Sequence, residues 1–334
     1  MEFNIFNSYG NTAHDVIRHV LNMKASPIAV SVIIPNYNHA MYLEERIESV
    51  LQQTHSNFEV IIFDDCSTDN SVEIINRYRN HEKVSQVIIN AENSGSTFRQ
   101  WAKGIEMARH EWVWIAESDD WCEPTLLQNL VEGIQPTTCI SFCMSVAVQD
   151  NEILYTNKSK YLAYHYPGYE YVREFMLYTT TISNASQAIF RKEVYHKIDK
   201  SFTTYKFSGD WLFWMLVAQH GEVFVSGKCL NYFRKHPKDV TSPSLKNGMA
   251  YREYLRTADT LEQERVVNGE EKTELLLFKY NQLLWDHRVE KDYVEEISKL
   301  YHAKLGSKLH GLGAYRTMGK RSYFKAVTHK LFGR

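Results

Sequence analysis

No stretch of this sequence is apolar enough to cross a membrane as a helix. The most apolar run, Trp211 to Ala218, falls far short of the ~20 residues a bilayer requires. Residues 1–28 hold no apolar core of a secretion signal, because Asp15, Arg18 and Lys24 interrupt them. Cysteine is sparse and odd in number: Cys66, Cys122, Cys139, Cys143 and Cys229, with no Cys-x-x-Cys pair. That speaks against a disulfide framework and a zinc ribbon, and Cys139 and Cys143 sit in an apolar run that reads as core. The glycine fingerprint of a dinucleotide fold and the Gly-x-Ser-x-Gly elbow of hydrolases are also missing. Gly313 followed by Gly319-Lys320 is a poor phosphate loop, since the gap is too long, Arg321 replaces Ser or Thr, and no strand precedes it. The location expected from these absences is the cytoplasm.

Charge is nearly balanced overall but unevenly placed. The net charge is −2, yet residues 297–334 carry nine Lys or Arg and no acid, which leaves −11 (−2 minus +9) on the rest. A basic tail on an acidic body points to an anionic surface as partner. Within it, 320–332 has the mixed basic and apolar composition of an interfacial helix, so peripheral contact with the inner face of the cytoplasmic membrane is a further expectation. The competing reading is a solvated basic helix packed on the acidic body. No nucleic-acid motif accompanies the basic residues.

What is present is a strand–helix alternation. Residues 30–35, 59–64, 85–89 and 112–116 are short, apolar and β-branched, and read as buried strands. Helical patterns lie between them. One carries Leu43, Ile47 and Val50 behind a possible Asn38 cap, and another carries Phe98, Trp101 and Ile105. Such alternation predicts βαβ units and a mostly parallel sheet, with ligands beyond the carboxyl ends of the strands. Further strands are expected at 139–148 and 187–190, a helix at 210–219 and a polar helical stretch from 250 to 300. Residues 150–185 show no clear pattern.

Three polar clusters follow strand ends: Pro35-Asn36-Tyr37-Asn38, Asp64-Asp65-Cys66-Ser67-Thr68-Asp69 and Glu117-Ser118-Asp119-Asp120. Each alone is compatible with ordinary turn and cap chemistry. Together, at one edge of a sheet, they crowd carboxylates that a hard cation relieves. Mg²⁺ or Mn²⁺ held by one or two carboxylates and a substrate diphosphate fits that composition. Asp210 has two readings from pattern alone, as the cap of the helix it heads or as a proton acceptor.

At this point the chain resembles a family 2 glycosyltransferase of GT-A fold. The matching stretches are SVIIPNYN (31–38), LQQTHSNFEVIIFDDCSTDNS (51–71), NSGSTFRQWAKG (93–104), ESDDWCEP (117–124) and GDWLFW (209–214), spread over roughly 29–236. The resemblance implies that Pro35 and Tyr37 line the base pocket, that Asp65 accepts from the base and that Arg99 lies near the nucleotide. It places Glu117-Ser118-Asp119 at the family's DxD position, with Asp119 on the metal and Glu117, where Asp is commoner, on the ribose or a metal-bound water. It makes Asp210 the general base, and His236, in the run Tyr232 to His236 followed by Thr241-Ser242, a ligand of metal or diphosphate. Asp120 is left between a helix cap and a site role.

The expectation is therefore an α/β protein with a GT-A fold. Residues 1–28 form an N-terminal extension, 29–245 a catalytic domain and 246–334 a helical C-terminal extension with the basic tail. The implied activity is inverting transfer of a hexosyl or N-acetylhexosaminyl group from a nucleotide diphosphate sugar, with UDP-sugar as the leading donor. A glycan or lipid-linked acceptor receives it, in polysaccharide biosynthesis. The alternatives are a sugar nucleotidyltransferase, which needs a basic Gly-rich loop after the first strand, and a non-catalytic nucleotide-sugar-binding module.

Overall fold

The β-branched runs at 30–35, 59–64 and 112–116 become strands because their side chains are buried on both faces, as a covered parallel sheet provides, while 85–89 forms the half-buried edge. In the computed structural model, which describes residues 28–236 and 241–311, β1 is Val30–Asn36, β2 Phe58–Asp64, β3 Val84–Ile89 and β4 Trp112–Ile115. They pair in parallel in the order β3-β2-β1-β4. The β1/β2 register sets Asn36 opposite Asp64, so the polar strand ends lie side by side. The basic tail from 312 onward and the N-terminal 27 residues lie outside the described residues.

The sheet continues past β4 through strands that mostly pair across long separations, β7 joining β6 by a two-residue hairpin turn. These are β5 (Trp121–Cys122), β6 (Thr138–Gln149), β7 (Glu152–Thr156), β8 (Ala163–Pro167), β9 (Ala188–Arg191) and β10 (Glu222–Arg234). β9 runs antiparallel between β4 and β6, and β10 lies parallel to β6. β1, β2, β3, β4, β6 and β10 thus share one direction, and the sheet is mostly parallel as the alternation predicts. β7 and β8 are short antiparallel additions to β6 and β10, which accounts for the irregular sequence there.

Helices cover both faces. They are α1 (Ala40–Leu51), α2 (Ser71–Tyr78), α3 (Thr97–Met107), α4 (Leu126–Glu132) and α5 (Gly209–Ala218), followed by α6 (Met249–Gln263), α7 (Gly269–Trp285) and α8 (Lys291–Leu305). α1 buries Leu43, Ile47 and Val50 as its spacing predicts, and Arg46 with them. The start of α1 departs from expectation. Asn38 does not cap the helix: it adopts a left-handed conformation (φ 56°), and its amide oxygen accepts from the Thr68 amide N–H across the neighbouring loop. α5 is apolar all round and buried, the mark of a central helix. Leu255 of α6, Leu276 of α7 and Tyr301 of α8 join the same apolar cluster as Trp211 and Phe213 of α5. Among the described residues no helix is long and apolar enough to cross a membrane.

Candidate active site

Loops at the carboxyl ends of β1 and β2 are stitched together by their own polar side chains. Asn36 Nδ2 donates to Asp64 Oδ2 at 2.8 Å, Asp64 Oδ1 accepts from the Ser67 N–H, and Asp69 accepts from the Ala40 N–H. These residues therefore do the turn chemistry that such clusters ordinarily do. Asp65 differs. It is buried, and its carboxylate accepts from Asn90 Nδ2 at 2.7 Å and from both the amide and the hydroxyl of Ser94. Arg99 donates to the Ser94 carbonyl at 2.9 Å, so Asp65 and Arg99 share one loop. Pro35, next to last in β1, is buried, whereas Tyr37, just past the strand end, is 44 % exposed. Four of the expected nucleotide contacts thus gather around the ends of β1 and β2.

After β4 the acidic run separates into three environments. Glu117 is held inward, its Oε1 accepting from Trp101 Nε1 at 2.8 Å. Burial, then repulsion from Asp119 and Asp120, pushes its carboxyl well above the usual range. Asp120 is an internal strut. One of its oxygens accepts from Asn184 and Ser186 at 2.6 Å each, the other accepts from the Arg234 N–H, and Arg46 sits 3.7 Å away with both side chains fully buried. It caps no helix. Burial, with Asp119 adding to it, pushes this carboxyl up to about 7 against the pull of Arg46. Asp119 goes the other way. Burial would raise it, but the His236 hydrogen bond at 3.0 Å and the nearby His39 draw it below the ordinary carboxylate value.

His236 reaches Asp119 because β10 pairs antiparallel with β5, setting Tyr232 opposite Trp121 and delivering the end of β10 beside the acidic run. Arg234 locks the junction, donating to the Asp119 carbonyl and lying over the rings of Tyr42 and Trp121. His39, missed in the sequence, completes the group. Its Nδ1 lies 2.9 Å from Ser118 Oγ, and ligand atoms of His39, Asp119 and His236 all lie within 4.8 Å of one another. Two imidazoles and one carboxylate form a set that suits a divalent ion and leaves coordination positions for phosphate oxygens. The only signal for His39 in the sequence was its place directly after the first polar cluster. The side chains of Thr241 and Ser242 lie outside the described residues.

Asp210 lies in the first turn of α5. Gly209 before it permits a close approach, since a Cβ there would come within 2.7 Å of the Phe202 carbonyl and the Phe98 ring. Phe98 packs on Trp101 at 5.0 Å, and Trp101 holds Glu117, so the two motifs share a wall. Burial pushes the Asp210 carboxyl up to about 7, against a hydrogen bond from the Trp211 N–H and with Glu253 adding repulsion. Glu253, on α6, is buried and accepts from the N–H groups of Lys206, Phe207 and Ser208 and from the Ser208 hydroxyl, at 2.6 to 3.1 Å. It holds the loop that aims Asp210. Glu253→Ala orphans those donors and is expected to cost about 1–3 kcal/mol of stability. A thermal melt checks the loss; an unchanged melting temperature would show the clasp to be idle.

A family model described as glycosyl transferase family 2 matches residues 31–199, which is 169 of the 334 residues and just over half of the chain. Glycosyltransferase GlyG of Streptococcus pneumoniae is 36% identical over 106 residues, covering 32% of this chain and 35% of that protein. Poly(ribitol-phosphate) beta-N-acetylglucosaminyltransferase TarS of Staphylococcus aureus is 36% identical over 103 residues, 30% of this chain and 18% of TarS. The matched stretch thus spans about a third or less of these two curated relatives. Among solved structures, S. aureus TarS 1-349 in complex with UDP-GlcNAc superposes with a TM-score of 0.62 at 20% identity, over 91% of this chain and 92% of that one. The UDP complex of the same fragment gives 0.59 over 92% of both. At that identity the likeness shows the fold, which is GT-A.

Proposed function

The chain belongs to glycosyl transferase family 2, and from that premise we propose that this glycosyltransferase moves one sugar, with inversion, from a UDP-sugar to a hydroxyl of a glycan or lipid-linked acceptor. The observation that carries the reading is the grouping of ligand atoms of Asp119, His39 and His236 within 4.8 Å of one another in the loops beyond β1, β4 and β10. His39, Asp119 and His236 would hold the ion. When bound, the ion neutralises charge on the departing diphosphate. Two nitrogen donors out of three tilt the site from Mg²⁺ toward Mn²⁺, because Mg²⁺ favours all-oxygen shells.

Asp210 takes the acceptor hydroxyl's proton as that oxygen bonds to the anomeric carbon and the carbon–diphosphate bond breaks. A carboxyl near 7 matches this task, since a general base works best when its pKa lies near the working pH. Pro35, Tyr37, Asp65, Arg99 and Glu117 would seat the nucleotide, with Asp65 exchanging one of its hydrogen bonds from Asn90 or Ser94 for one from the base. The known relative TarS has been solved with UDP and with UDP-GlcNAc, which favours a uridine donor. The nucleotidyltransferase alternative lacks its Gly-rich basic loop after β1. The binding-module alternative leaves Asp210 at a pKa suited to catalysis without a purpose.

Uracil offers an N3–H to Asp65 and cytosine does not. The thermal shift produced by UDP with Mn²⁺ is therefore expected to exceed those with CDP or ADP, and equal shifts for all three would remove the case for uridine. We also assign residues 29–245 as the catalytic domain and 246–334 as its helical extension, with the tail resting on anionic lipid. Deleting 314–334 is expected to abolish salt-sensitive pelleting with anionic vesicles; pelleting as strong as that of the full chain would refute the contact.

A further inference from the structure

A cavity of about 680 Å³ lies between β6, β8, β10 and the segment 157–181. That volume is typical of ligand pockets, which run roughly 300–1,000 Å³. None of its walls comes from the residues placed above on the nucleotide, the ion or the proton transfer. Its sides are rings in series. Tyr161 stacks on Tyr164 at 4.8 Å, Tyr164 meets Tyr166 at 4.5 Å, and Tyr166 meets Phe175 at 5.2 Å. Lys158, Lys160, Arg173, Glu170 and Glu174 stand among the wall residues, together with three consecutive threonines, 179–181.

A purely apolar ligand would strand these hydroxyls and charges. A purely ionic one would waste the rings. Sugar units satisfy both, since their C–H faces lie on aromatic faces while their hydroxyls bond to phenol, threonine, carboxylate and ammonium groups. The cavity is also tied to the transfer edge. Asn157 donates to Ser183 Oγ at 3.0 Å, and the Thr181 carbonyl accepts from Gln187. Between those residues, Asn184 donates to Asp120, the neighbour of Asp119. The cavity wall and the acidic run are thus parts of one hydrogen-bonded layer.

We propose that this cavity is the acceptor site, holding the sugar units of the acceptor glycan that flank the hydroxyl receiving the new sugar. The assignment rests on the transferase reading above and adds which chemistry selects the acceptor. Tyr164, 41 % exposed, is the ring whose loss harms the fold least.

Saturation-transfer NMR with three trisaccharides, built of GlcNAc, glucose or glucuronate, tests it on the full chain with UDP and Mn²⁺ present. At least one trisaccharide is expected to bind. Tyr164→Ala is expected to weaken that binding about tenfold, as truncation of a central aromatic contact does, while Tyr164→Phe retains it. The UDP-induced thermal shift, which reports the donor site alone, stays unchanged in both variants. If that shift were absent from the parent protein, the donor reading would fail instead, and the acceptor assignment with it. With the shift intact, binding by none of the three trisaccharides, or equal binding to Tyr164→Ala, overturns the assignment.

Discussion

Asp210→Asn lowers the rate of transfer by at least ~10²-fold while leaving UDP binding nearly unchanged, because general-base catalysis contributes ~10²–10⁴-fold. The amide keeps the shape at the head of α5 but accepts no proton. With Asp210 as the proposed general base, the deprotonated carboxylate is the working form, so turnover is expected to rise as pH climbs through about 7 and the variant to lose that inflection. Stability moves the opposite way. The folded carboxyl holds its proton up to about 7, whereas the unfolded chain releases it near the ordinary carboxylate value. The parent protein therefore loses stability as pH rises between those two values. Asp210→Asn escapes that loss and should melt higher than the parent protein at pH 8, with little difference at pH 4. A variant with parental turnover, or with an unchanged pH profile, would strip Asp210 of its role.

Asp119→Asn is expected to abolish metal-dependent transfer and to weaken the UDP-induced thermal shift in Mn²⁺. The same is expected of exhaustive chelation. Asp119 is the one carboxylate of the acidic run held in its charged form by two imidazole neighbours, so its loss removes the anionic ligand and leaves His39 and His236 without it. His39→Ala separates this account from one that rests on the acidic run alone. It should raise the Mn²⁺ concentration needed for half-maximal activity, with Glu117 and Asp120 still in place. Calorimetric titration with Mn²⁺ reads the change directly. Full activity of Asp119→Asn in the presence of a chelator would end the metal assignment.

Local chemistry made much of this legible. β1, β2 and β4 announced themselves because buried parallel strands need unbroken apolar runs, and their observed ends fall within one residue of those expected. Asp119 and Asp210 stood out through the family resemblance, Asp119 in the loop after β4 and Asp210 in the first turn of α5. What stayed hidden depended on pairing across long separations. His236 meets Asp119 over 117 residues through the β5/β10 pairing, which no periodicity encodes. Arg46 interrupts an otherwise apolar stripe because its partner, Asp120, lies beyond β4. Glu253 looks like any surface acid of a polar helix until α6 folds it against the loop before Asp210. Residues 150–185 gave no pattern because β7 and β8 borrow their order from the edges they join.

The configuration of the newly formed glycosidic bond tests the central claim most directly. With the one Asp210 carboxylate removing the acceptor proton while the diphosphate leaves from the opposite face, displacement occurs once and the anomeric centre inverts. Proton NMR of the product from an α-linked UDP-sugar, taken before any equilibration, is expected to show the β anomer alone. An α-linked product would contradict single displacement and, with it, the role of Asp210 as the general base.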